Sequence, residues 1–331
     1  MDMKNRFEKF RNWLPIRVYW REQQPFVDWC YMGNERFTKP FFDNTIELRL
    51  REPFNLLFRH QTSMDFLGEL HEQNPGLEPN GFIFHMSRCG STLVAQMLSA
   101  LAQNIVISEP PQVDSILRTS RKNPAITDEQ RIDWLKWMVS ALGQKRAGEK
   151  YYFIKFDSWS MIDLDLIRRA FPEVPWIFLY RNPVEVLVSQ MRERGSQMIP
   201  GTIGQILPGI DFMESLQIPA EEYCARVLAR FCENAISGAK NGKALFINYN
   251  QLPEAVTSAM TKHFQIDYSP EDIENMKNSA QFNAKTPALH FAPDSAAKRK
   301  QASAEVIEAA EKWVNPLYEQ LENIRKDAGN R

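Results

Sequence analysis

The sequence predicts an α/β fold in three layers, a mainly parallel five-stranded central sheet with helices on both faces. Three observations carry this. Five short apolar runs, at 81–86, 104–108, 151–156, 176–180 and 243–249, alternate with stretches whose apolar residues recur at helical spacing. The first run passes through a short polar loop (Ser87, Arg88, Cys89, Gly90, Ser91, Thr92) directly into apolar Leu93, Val94, Met97, Leu98 and Leu101. A chain of 331 residues with 44% hydrophobic content is also long enough to bury one large core.

Before the first run, residues 1–75 are rich in aromatics, among them Trp13, Trp20, Trp29, Phe41 and Phe58, and have no long periodicity. They read as an N-terminal cap with short strands near 16–19 and 45–50, most of the aromatics packing in a core and some covering the sheet or lining a pocket. Asn74, Pro75 and Gly76 then lead into the main α/β unit, 76–331. At 81–101, strand, loop and helix put free N–H groups, the helix dipole, two hydroxyls and the Arg88 guanidinium in one place, a phosphate site by construction. An ordinary strand, turn and helix with a serine cap is the alternative. Against the P-loop pattern G-x-x-x-x-G-K-[ST], His85 replaces the first glycine and Ser91 the lysine. A nucleoside triphosphate would lose a main charge partner there, while a diphosphate-sized cradle survives.

The run at 104–108 ends in Glu109, Pro110 and Pro111, which leave regular structure with a carboxylate at the strand end. Ile132, Leu135, Met138, Val139 and Leu142 predict a helix ending near Gly143. The third run carries Lys155 near its end and Asp157 just beyond, free to act as a base or to cap the next helix. After the fourth run come Arg181, Asn182 as N-cap, Pro183 at the first helical position and Glu185 as reciprocal partner, with Ser189 two turns on. A phosphate-hydrolysing P-loop enzyme would end this strand in an aspartate for Mg²⁺; here an arginine stands ready for an anion.

Residues 195–219, broken by glycine and proline, read as a lid or substrate loop, or as an ordinary long connection. A helix over about 221–240 leads to the fifth run and Tyr249-Asn250-Gln251-Leu252. Near the end, Thr286, His290, Lys298, Arg299 and Lys300 make a late basic stretch, equally readable as a solvated charge run, before a terminal helix with Val306, Trp313 and Leu317. Right-handed crossovers place every strand's C-terminal end on one edge, so Arg88, Glu109, Lys155, Arg181 and Tyr249 fall together.

Arg88-Cys89-Gly90-Ser91-Thr92-Leu93 resembles the 5′-phosphosulfate loop of sulfotransferases that use 3′-phosphoadenosine 5′-phosphosulfate (PAPS), most closely the tyrosylprotein sulfotransferase version. Arg181-Asn182-Pro183 with Ser189 resembles the same family's 3′-phosphate motif, and Tyr249-x-x-Leu252 its strand-end signature. The resemblance covers roughly 81–300 and implies a P-loop NTPase-like sulfotransferase fold. It implies PAPS as co-substrate, 3′,5′-adenosine diphosphate as product and no metal. In that role Ser87, Arg88, Cys89, Gly90, Ser91, Thr92, Arg181, Ser189, Tyr249 and the late-loop Lys298 hold the nucleotide. Arg88 and Lys155 supply positive charge, and Glu109, 21 residues after Arg88, stands where tyrosylprotein sulfotransferases have their base. Cytosolic sulfotransferases have a histidine two residues past the third-strand lysine, and Asp157 occupies that position here.

The expected activity is sulfuryl transfer to a hydroxyl or amine of a small-molecule or peptide acceptor. A P-loop kinase of a small molecule and a noncatalytic nucleotide-binding protein are the rival classes. With 40 basic against 41 acidic residues, no global field attracts nucleic acid or an anionic membrane. No apolar stretch reaches membrane-spanning length and no signal-peptide core is evident, so a cytoplasmic location is expected. Cys30, Cys89, Cys224 and Cys232 have no metal-ligand spacing and read as reduced thiols.

Overall fold

The computed structural model of the chain describes residues 8–240, 242–284 and 294–329. The N-terminal segment forms an antiparallel sheet of β1 (Trp13–Arg21), β2 (Gln24–Tyr31) and β3 (His60–Ser63), in that order. The strand expected near 16–19 lies inside β1. The one expected at 45–50 is instead helix α1 (Phe42–Leu50), a correction. Two β-branched residues suggested a strand, yet burial falls on Phe42, Thr45 and Ile46, the i, i+3, i+4 face of a helix.

Of the N-terminal aromatics, Trp13, Trp29, Phe37 and Phe42 are buried, whereas Phe54 and Phe58 are exposed. The segment lies against the main unit, where Gln112 Nε2 donates to the Pro15 carbonyl at 3.0 Å and Trp20 meets Trp134 with ring centroids 6.2 Å apart.

The central sheet comprises β4 (Gly81–His85), β5 (Asn104–Ser108), β6 (Tyr151–Lys155), β7 (Trp176–Tyr180) and β8 (Ala244–Asn248). All pairings are parallel, in the order β5-β6-β4-β7-β8. β4, β5 and β7 are buried at every residue, as their unbroken apolar character requires of a sheet covered by helices on both faces. Because β4 is central and the order reverses on either side of it, the loop that follows it opens at the topological switch point.

The helices that bear on the site are α2 (Ser91–Ser99), α3 (Pro111–Leu117), α4 (Asp128–Leu142), α5 (Pro183–Arg192), α6 (Ala220–Ala239), α7 (Ser295–Lys300) and α8 (Asn315–Gly329). α4 starts on a full capping box, with the Thr127 hydroxyl accepting from the Gln130 N–H and the Gln130 side chain accepting from the Thr127 N–H. It ends at Gly143 as expected. α5 has the predicted Asn182 cap and Pro183 start, but the reciprocal bond from Glu185 is not made, because that carboxylate is bound elsewhere.

Residues 195–219 fold into a short turn, Ser196–Met198, and a helix, Phe212–Gln217, and bury Ile203, Ile206 and Leu207. The terminal helix is interrupted by a π-turn at Ala310–Val314 before α8. Thr286 and His290 lie outside the described residues; Lys298, Arg299 and Lys300 fall in α7.

Candidate active site

The loop after β4 is wound tightly. Ser87, Arg88 and Gly90 all have positive φ, 77°, 52° and 87°, so consecutive N–H groups turn towards a common point at the start of α2. Two of these are non-glycine residues in a sparsely populated region, which costs roughly 1–3 kcal/mol each and persists where surrounding structure enforces it. That structure is visible. The Ser87 N–H donates to His85 Nδ1 at 3.1 Å, Gln190 Nε2 donates to Ser87 Oγ at 3.1 Å, and the Cys89 thiol donates to the Leu179 carbonyl at 3.1 Å.

Gly90 has a second reason to be glycine. A Cβ there would stand 2.7 Å from Leu252 and 3.0 Å from Tyr249, so the Tyr-x-x-Leu segment packs directly on the loop. Arg88 binds the Glu193 carboxylate at 2.9 Å and the Glu193 carbonyl at 2.8 Å, reaching from the loop to the end of α5.

On the β7 side, Arg181 is buried and stacked on the Tyr249 ring, 3.9 Å from its centroid. Its guanidinium donates from Nε to Glu185 Oε2 at 2.6 Å and from Nη2 to Asp294 Oδ1 at 2.6 Å and Ser295 Oγ at 3.0 Å. Asp294 also takes Lys298 Nζ at 2.7 Å. Burial alone would raise the Asp294 carboxyl, but Arg181 and Lys298 outweigh it and hold it below the usual range. Arg181 is thus no free cation: a carboxylate sits on it and on Lys298.

The β5 and β6 side is different. Lys155 is fully buried and its ammonium is hydrogen-bonded to Glu109 Oε1, while the Glu109 N–H donates to the Lys155 carbonyl at 2.6 Å. Glu109 has φ 55° and exposes 23% of its side chain, in the cleft it lines. Burial would raise its carboxyl; the Lys155 charge and the neighbouring His85 bring it down to about 2. Asp157 is pushed the other way, well above the carboxylate range, by burial and by the nearby Glu109 and Asp114. It makes no side-chain cap to the turn that follows, so the capping role open to it in the sequence is not realised.

All these groups open onto one cleft of about 700 Å³, lined by the loop 87–92, Glu109, Asp157, Arg181, Ser189, Tyr249 and Lys298. Lys155 alone among the sequence-derived candidates does not line it, lying beneath it against Glu109. Sequence reasoning missed Gln190 and Asp294 and gave His85 no role, while Phe41, one of the N-terminal aromatics expected to pack in a core or to line a pocket, lines this cleft. The signal for Asp294 was present as a carboxylate one helical turn before Lys298; Gln190 carried none, since only the tertiary fold brings it to Ser87.

No protein-family model matches the sequence, and no curated protein does. Among solved structures the chain is similar in fold to several sulfotransferases. The sulfotransferase domain from the curacin biosynthetic pathway aligns with a TM-score of 0.44 and 14% identity, over 72% of this chain and 98% of that one. Sulfotransferase STF1 from Mycobacterium tuberculosis aligns with a TM-score of 0.44 and 14% identity, over 83% of this chain and 86% of that one. Retinol dehydratase, in complex with androsterone and inactive cofactor PAP, aligns with a TM-score of 0.38 and 15% identity, over 78% of this chain and 86% of that one.

Proposed function

We propose that this chain is a sulfotransferase that moves a sulfuryl group from PAPS to the hydroxyl or amine of a small-molecule or peptide acceptor. The observation that carries the reading is the division of one cleft by the loop after β4: anion-holding groups on the β7 side, and a carboxylate bound to a buried ammonium on the β5 and β6 side. The residues fit an anionic nucleotide. Asp294 already shows that Arg181 and Lys298 accept a carboxylate between them, a partial stand-in for a phosphate.

In this reading the N–H groups of 87–92 and the hydroxyls of Ser91 and Thr92 cradle the 5′-phosphosulfate, while Arg181, Ser189 and Lys298 take the 3′-phosphate and the stacked Tyr249 ring orients the Arg181 guanidinium. PAPS supplies, when bound, an activated sulfuryl group and a stable diphosphate leaving group. Glu109 accepts the acceptor proton on its carboxylate. Arg88 and Lys155 supply positive charge where negative charge develops, which needs no metal. Lys155 cannot serve the leaving oxygen and neutralise Glu109 fully at the same time; as it turns away, Glu109 becomes a stronger base.

The reading stands or falls on the nucleotide. In a calorimetric titration 3′,5′-adenosine diphosphate is expected to bind substantially tighter than 5′-AMP, with Arg181→Ala costing about 1.5–3 kcal/mol of that binding. Equal affinity for the two nucleotides would rule it out. Thermal stabilisation by ATP with Mg²⁺ in place of PAPS would favour a kinase.

A further inference from the structure

We propose that His85 is a positioning residue, the donor that holds the Glu109 carboxylate when Lys155 turns away from it. This rests on the sulfuryl-transfer reading, in which Lys155 has work to do at the leaving oxygen.

His85 ends β4 and is buried. Its Nδ1 accepts the Ser87 N–H at 3.1 Å, so in the neutral ring the proton is on Nε2. Among the described residues, that buried Nε2–H has no well-formed hydrogen-bond partner. It stands 3.4 Å from Glu109 Oε1, the same oxygen that Lys155 occupies, and is too poorly aligned to share it.

A buried donor left unpaired costs about 1–3 kcal/mol, and native structures rarely tolerate one without a reason. The geometry supplies the reason. Oε1 has one occupant, Lys155, and one understudy, His85, already beside it. Without His85, departure of Lys155 would leave Glu109 Oε1, in a partly desolvated position at the cleft wall, without that charge partner, and the desolvation favours uptake of a proton. With His85 the carboxylate stays ionised and in place. The same imidazole holds the Ser87 N–H, so the base and the phosphate loop share one fixed point.

The titratable groups around Glu109 are His85 from β4, Lys155 and Asp157 from β6 and its continuation, and Asp43 from α1. Two substitutions separate the roles of the ring. His85→Asn keeps an acceptor for the Ser87 N–H but is too short to reach Glu109; His85→Gln places an amide N–H where Nε2–H stands, without titrating.

The readout is the net proton uptake when 3′,5′-adenosine diphosphate binds, measured by calorimetry in two buffers of different ionisation enthalpy between pH 4.5 and 7. His85→Asn is expected to take up several-fold more protons on binding than His85→Gln, while any difference in nucleotide affinity between the two reports the separate Ser87 contact. A purely structural histidine would move affinity or melting temperature and leave this linkage alike in both. Equal uptake in the Asn and Gln variants overturns the inference while leaving the sulfotransferase reading intact. If wild-type protein does not bind the nucleotide at all, the parent reading fails, and this inference fails with it. Should His85→Asn not fold, His85→Leu serves as the donorless variant against His85→Gln, with the same two outcomes.

Discussion

Two carboxyls at neighbouring strand ends, Glu109 and Asp157, share a cleft and are pushed apart in acidity by different surroundings. Glu109, held down by the Lys155 ammonium, is ionised throughout the physiological range, which suits a base; Asp157 is pushed the opposite way, towards its protonated form, by burial and by its acidic neighbours. A positioned base typically contributes ~10²–10⁴-fold, so Glu109→Gln is expected to lower turnover by about that factor and leave nucleotide affinity nearly unchanged. The two also act oppositely on stability. Glu109 is depressed in the folded state, so it stabilises the protein above the normal carboxylate range, an effect lost as pH falls towards about 2. Asp157 is raised, so the folded state binds its proton more tightly and loses stability as pH climbs through the carboxylate range. Asp157→Asn, which needs no ionisation, should therefore raise stability at pH 7 by on the order of 1 kcal/mol, the gain fading near pH 4. Thermal melts of both proteins across pH 3–8 would show it, and a destabilised variant at pH 7 would contradict it.

The loop after β4, α5 and α7 meet as one clamp. Glu185 accepts Arg181, Ser295 and Arg299, and Asp294 bridges Arg181 to Lys298, so α7 is fastened to α5 by the same charges that a nucleotide phosphate would claim. Binding then has to displace Asp294. Asp294→Asn is expected to tighten 3′,5′-adenosine diphosphate by about tenfold, or ~1.4 kcal/mol, by removing the competing carboxylate, and weaker binding would argue that Asp294 helps to build the pocket. Gly90→Ala should abolish nucleotide binding, because its Cβ has nowhere to go against Leu252 and Tyr249 in a backbone that already needs φ 87°. These elements were unevenly legible. Loop, Asn182 cap and Pro183 start could be read directly, since each rests on local chemistry. Glu185 was misassigned because its carboxylate answers to α7, more than 100 residues away in sequence, and α1 was misread because two β-branched residues weigh less than the face that packs.

At the scale of the molecule, the alternation of apolar strands and helices was enough to set the five-stranded parallel sheet and to gather Arg88, Glu109, Lys155, Arg181 and Tyr249 at one edge. The sequence did not reveal which of these face the cleft and which pair with each other: Lys155 lies beneath it, and Arg181 is already neutralised. The reaction as proposed has no step for a divalent cation, so turnover should survive EDTA, and loss restored by Mg²⁺ would favour the kinase. One feature of the interior can be put to use directly. Cys30 is buried within β2 of the N-terminal sheet, and Cys89, Cys224 and Cys232 are buried around the central one, each thiol made much less acidic than usual by burial. None can be alkylated while the native packing holds. Pulsed maleimide labelling in increasing urea, counted by mass, thus reports how cooperatively the chain opens: zero or four labels per molecule if the aromatic N-terminal segment and the sheet unfold as one, a single label at Cys30 if the segment lets go first.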